Sequence, residues 1–134
     1  MNYTPITPER LRAAMAKTKM SLMRHATVRG SSGCAIGICG IAEAGDKYWC
    51  KGPIAIGKAL GLPDGYAEAF AMAFDLGHWN ALPDSELKKD EERKIDRYTS
   101  LEDSPARQGF IDGLVIRDEF IFKPELRKIE EANR

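Results

Sequence analysis

Ser32-Gly33-Cys34-Ala35-Ile36-Gly37-Ile38-Cys39-Gly40-Ile41-Ala42-Glu43-Ala44-Gly45 contains the longest apolar run of the chain, Gly33 to Ala42. The run is about half the ~20 residues needed to cross a bilayer, so it belongs inside a protein core. Ser31-Ser32-Gly33 can cap it and Gly45-Asp46 stops it, which predicts a tightly packed buried helix. Its glycines lower helix propensity but let a neighbouring backbone come close. A buried strand competes, because Ile36 and Ile38 alternate.

The stretch before this run reads as an amphipathic, basic helix. Thr7-Pro8-Glu9 supplies a capping hydroxyl, a proline for the first helical position and an acid for the positive end of the dipole. Leu11, Met15, Leu22 and Ala26 share a narrow arc at ~100° per residue. Arg10, Lys17 and Arg24 form a second line, Arg12 and Lys19 flank the stripe, and the helix is expected to end near Arg29-Gly30.

On the other side, Gly52-Pro53 opens a short helix from Ile54 to Leu60, and Leu62-Pro63-Asp64-Gly65 is a turn. Tyr66, Phe70 and Phe74 then repeat every four residues, predicting an aromatic ridge toward the core. Leu82-Pro83-Asp84-Ser85 caps a polar helix reaching about Thr99, of which Leu87, Ile95 and Tyr98 can face inward. Ser104-Pro105 starts another helix with Phe110, Leu114 and Val115. Residues 114–122 are open between continued helix and a hairpin turning at Arg117-Asp118-Glu119, and Pro124 to Glu131 reads as a short terminal helix. The fold expected is mainly α, one compact multi-helix domain over residues 1–134, with that small β-hairpin near the C-terminus as the one open alternative.

Composition narrows the function classes. The 134 residues are 43% hydrophobic and 30% charged, an ordinary globular balance. The start has neither a basic nor an apolar leader region, and the three cysteines, Cys34, Cys39 and Cys50, are an odd count. Free thiols in the cytoplasm, and no membrane attachment, are the expectation. Residues 1–60 hold nine Lys/Arg against three Asp/Glu, whereas residues 61–134 hold eleven against seventeen. Such asymmetry either orients the molecule toward a charged partner or lets the two halves pair with each other.

Catalytic and metal chemistry find weak spacing. Cys34 and Cys39, five apart, point ~140° apart on a helix, unlike the ligands of a zinc knuckle, even with His25 or His78 added. Neither a metal nor another cofactor is expected. A thiol enzyme would use Cys34 at a helix start with His78 as base and Asn80 or Asp84 orienting it, against the plainer reading of Cys34 as a buried thiol. Ile56 to Tyr66 resembles a helix-turn-helix around Gly61, but its reading helix carries Asp64 and Glu68 and no base, a poor match to phosphates. No phosphate-binding glycine loop is present, and the acids Asp90, Glu91 and Glu92 sit in a solvated run.

Gly33-Cys34-Ala35-Ile36-Gly37-Ile38-Cys39, Ala59-Leu60-Gly61-Leu62 and Phe74-Asp75-Leu76-Gly77 together resemble a pattern in small phage-type proteins, over residues 33–78. The resemblance implies a phage or mobile-element origin and no particular chemistry. The expected function is therefore a non-enzymatic accessory protein that docks on a larger host protein or defence complex as an inhibitor or modulator. A DNA-binding regulator and a small cysteine-dependent enzyme are the alternatives. Arg10, Arg12, Lys17, Lys19 and Arg24 are the expected contacts, with Trp79 as an aromatic anchor and Trp49 assigned to the core.

Overall fold

A computed structural model of the protein describes residues 3–23, 28–29, 32–45, 52–76, 85–100 and 102–133. Among these lie α1 (Pro8–Thr18), β1 (Ser21–Leu22), β2 (Val28–Arg29), β3 (Ser32–Gly33), α2 (Ala35–Ala44), α3 (Pro53–Ala59), α4 (Tyr66–Phe74), α5 (Ser85–Thr99), α6 (Pro105–Arg117), a π turn (Asp118–Phe122) and α7 (Lys123–Ala132).

The Cys/Gly run is a helix, and it is the centre of the larger core. Ala35, Ile36, Ile38 and Cys39 of α2 are wholly buried, and α2 packs against α1, α3 and α4. Burial on all sides explains the absence of a polar face in its sequence. Two close approaches use its glycines and those of α3. A Cβ on Gly40 would lie 2.5 Å from Ile56 Cγ2, and one on Gly57 would lie 2.7 Å from Ala67 Cβ.

α1 begins as its sequence indicates, with Thr7 Oγ1 accepting from the Arg10 N–H at 3.2 Å, but it ends at Thr18 rather than near Gly30. Lys19 takes a left-handed backbone (φ 56°) and its N–H closes onto Met15 O at 2.7 Å. Thr18 also donates its hydroxyl to Ala14 O at 2.8 Å, competing for the last turn of the helix. The chain beyond is drawn into a three-stranded sheet of order β1-β3-β2. β1 runs parallel to β3, pairing Ser21 with Ser32 and Leu22 with Gly33, and β2 runs antiparallel to β3. Partners about ten residues away thus override a helical period that continues in the sequence. Arg24 and Ala26 lie outside the described residues, so of the line Arg10–Lys17–Arg24 only Arg10 and Lys17, both on α1, are described.

α4 and α6 form the tightest helix pair of the fold. Tyr66, Phe70 and Phe74 are fully buried and stack along α4 at 6.2 and 6.5 Å between ring centroids. α6, capped by Ser104 Oγ accepting from the Arg107 N–H, sets Gly109 and Gly113 directly on the α4 backbone. A Cβ on Gly109 would stand 2.2 Å from Tyr66 O, and one on Gly113 would stand 2.5 Å from Phe70 O. A smaller core of Ala69, Ala73, Leu76 and Phe110 lies beside this seam, closed by Ile95 and Tyr98 of α5. The Tyr98 ring stacks on Phe110 at 4.4 Å.

The sheet lies near the N-terminal third, and residues 114–122 are helical rather than a hairpin. Burial there follows the helical period, with Ile116 and Arg117 inside and Val115 exposed. The Asp118 N–H still bonds back to Leu114 O and Val115 O. The π turn then widens the helix so that Phe120 and Ile121 rest on the main core. Among the described residues no helix is long and apolar enough to cross a membrane.

Candidate functional site

The basic face of α1 is largely turned to internal use. Arg10 forms a fork-to-fork pair with Glu43 of α2, Nε to Oε2 at 2.8 Å and Nη2 to Oε1 at 2.7 Å. Its remaining nitrogen, Nη1, donates to Thr4 O and to Pro5 O. The bond to Glu43 holds the guanidinium pKa above its ordinary value. Lys17 Nζ donates to Ala42 O at 2.7 Å, where a cation meets the negative end of α2. Arg10, Ala13, Ala14, Lys17, Ala42 and Glu43 line a groove of about 430 Å³ between the two helices. Its positive charges are already matched by Glu43 and by carbonyls of the chain itself. Arg12 turns the other way, to Glu119 Oε1 at 3.2 Å and over the Phe120 ring at 5.1 Å. Lys19 is exposed at the end of α1. Arg24, Trp79 and Trp49 lie outside the described residues.

The thiols are packing groups in this fold. Cys34 stands at the N-cap of α2, and the amides of Gly37 and Ile36 favour its thiolate, but burial dominates and pushes the thiol up to about 11. Cys39 is fully buried, and burial pushes it up to about 12. Both are therefore protonated at neutral pH. Cys50, His25, His78, Asn80 and Asp84 lie outside the described residues. Among the described residues, no group of three His, Cys, Asp or Glu side chains is placed to hold a metal ion.

The helix-turn-helix stretch is α3, a turn with Gly61 and Gly65 at positive φ, and α4. α4 is sandwiched rather than presented. Tyr66, Ala67, Ala69, Phe70, Ala73 and Phe74 are buried, leaving Glu68 and Met72 as its exposed side chains.

Two features escaped the sequence reading. The first is a polar relay inside the α4–α6 seam. Tyr66 donates its hydroxyl to Asp112 Oδ2 at 2.5 Å and accepts from the Ile6 N–H at 2.9 Å. Gln108 donates to Asp112 Oδ1 at 2.8 Å. Burial raises the pKa of Asp112 and, more strongly, of Tyr66. The Tyr66 hydroxyl and both Asp112 carboxylate oxygens have partners, so the relay ties the N-terminal segment to α6. Its signal was a carboxylate alone in the apolar stretch Gly109–Ile116.

The second feature is α7. It continues directly from the π turn and buries none of its own residues. Leu126 and Ile129, three apart on one face, are 43% and 39% exposed. Charged pairs border the face, with Lys123 Nζ 2.9 Å from Glu119 Oε2 and Lys128 Nζ 3.8 Å from Glu125 Oε2. The sequence predicts a short terminal helix here, Pro124 to Glu131, but does not single out the Leu126–Ile129 face. Compared with protein-family models, with curated proteins and with solved structures, the chain matches none.

Proposed function

We propose that the protein is a non-enzymatic binding protein, of the phage or mobile-element type, that docks on a larger protein through α7 and modulates it. The observation that carries this reading is the apolar face of α7, with Leu126 and Ile129 exposed on a helix that buries none of its residues. An amphipathic helix with its apolar side uncovered is a common peptide-recognition element. The surplus of acid in residues 61–134, seventeen Asp/Glu against eleven Lys/Arg, favours encounter with a basic partner.

The competing chemistries have less support. Raised, buried thiols at Cys34 and Cys39 suit packing better than nucleophilic attack. α4 exposes Glu68 and Met72, which offer no cation to a phosphate. The test is capture of a partner by immobilised protein from cells of its natural host. The wild type should retain one large partner, and Leu126→Asp/Ile129→Asp should lose it while keeping its melting temperature. Equal capture by wild type and double variant would refute α7 as the docking element.

A further inference from the structure

We infer that in the absence of another partner the apolar face of α7 is covered by α7 of a second copy of this chain, the two helices running antiparallel. This inference rests on reading α7 as a docking helix and names what occupies it in the pure protein.

The argument is one of charge placement around the seam. Leu126 and Ile129 take the two inward positions of a helix pair, with Asn133 continuing the row one turn on. Lys123 and Glu130, seven residues apart, then lie on one flank, and Glu125 and Ala132, also seven apart, lie on the other. In an antiparallel pair each flank meets its own reversed copy. Lys123 then faces the partner's Glu130 twice over by symmetry, and Glu125 faces the partner's Ala132 without repulsion. A parallel pair brings opposite flanks together and sets Glu125 against the partner's Glu130, acid on acid, at both edges. The antiparallel arrangement also opposes the two helix dipoles favourably.

The contact is small. Ten residues of helix span about 15 Å, and the few side chains on one face of so short a helix bury well under the ~800 Å² per partner of a stable interface. The pair is therefore weak, with a dissociation constant of about 0.1–1 mM.

Sedimentation equilibrium of the purified full chain at low salt, from about 0.01 to 1 mM, tests this. The wild-type mass should rise toward twice the chain mass, and Leu126→Asp should remain a monomer. Lys123→Glu should weaken association by about tenfold, because two attractive edge pairs become repulsive. Lys123→Glu/Glu130→Lys should restore it. Both charge variants lose the internal pair to Glu119, so recovery in the double variant reports the contact between chains alone. A wild-type mass that stays monomeric throughout, or a double variant as weak as the single, overturns the inference. Because the measurement uses pure protein, such a failure leaves the partner-capture result to judge the docking reading separately.

Discussion

Replacing Gly109 by alanine adds one methyl group at the point where α6 lies on α4. The new Cβ would sit 2.2 Å from Tyr66 O and 2.9 Å from both Tyr66 C and Tyr66 Cα. Ordinary contact begins near 3.4 Å, so the two backbones must part by about 1.2 Å at that point. No rotamer change relieves this clash, because its other side is the main chain of α4. Parting the helices loosens Phe110 and Phe70, both fully buried, and stretches the bond from Tyr66 to Asp112, 2.5 Å in the native fold. Overpacking of this kind costs about 3 kcal/mol or more, while alanine regains about 1 kcal/mol of helix propensity, leaving a net loss of about 2 kcal/mol. For a domain of this size that lowers Tm by about 6–10 °C. Thermal and urea unfolding followed by circular dichroism measure it. Gly40→Ala is the comparison, since its obstacle at 2.5 Å is Cγ2 of the buried, β-branched Ile56 rather than main chain; it too should destabilise, but by less, because a side chain and not a helix backbone has to yield. Gly52→Ala, with nothing within 4 Å of the added methyl, meets no clash and should cost only the poorer N-cap of α3, about 0.5–1 kcal/mol. If Gly109→Ala melts at or above the wild-type temperature, α4 and α6 are not in backbone contact and the account of this seam is wrong.

Three further outcomes follow from the same contacts. Arg10→Ala should destabilise by about 1–2 kcal/mol in urea unfolding, since it abandons Glu43 and two backbone carbonyls, whereas Lys19→Ala should stay within about 0.5 kcal/mol; equal effects would show that Arg10 does not brace α1 against α2. Burial raises the folded-state pKa of Asp112 above 3.8, so the folded chain holds that proton more tightly than the unfolded one. The stability contributed by protonated Asp112 is full below its ordinary value and is lost as pH rises through its raised value. Unfolding free energy measured from acid to neutral pH should fall more with rising pH in the wild type than in Asp112→Asn, and the opposite slope would contradict the burial argument. Cys34 and Cys39, pushed up to about 11 and about 12, should resist alkylation at neutral pH until urea unfolds the chain. Rapid labelling of native Cys34, mapped by mass spectrometry, would revive the thiol-enzyme reading.

The candidate sites were less legible in the sequence than the helices. Arg10 and Lys17 were visible as bases on one helix face, but not as bases already answered by Glu43 and Ala42 O. Glu43 lies 33 residues from Arg10, and no local pattern links them. Likewise Leu126 and Ile129 show the spacing of a buried stripe. Whether another element covers such a stripe is a matter of how the chain is routed, and α7, following the π turn, is left with none of its residues buried.

The amino-acid sequence by itself determined what depends on neighbours a few residues away. The hydroxyl caps at Thr7 and Ser104, the prolines after them, the Leu62–Gly65 turn and the four-residue aromatic spacing of α4 set where α1, α4 and α6 begin and, for α4, which side is buried, because helix bonds and caps close over three or four residues. The tertiary structure decided what depends on distant partners. Strand pairing of Ser21 with Ser32 ends α1 early. Gly109 and Gly113 lie in a helix interior, where glycine alone reads as a weakness, and become the closest contact in the fold once α4 is laid across them. The π turn carries residues 114–122 on as helix because Phe120 and Ile121 find the core in that form. Packing free energy between segments far apart in the chain outweighs local preference at each of these points.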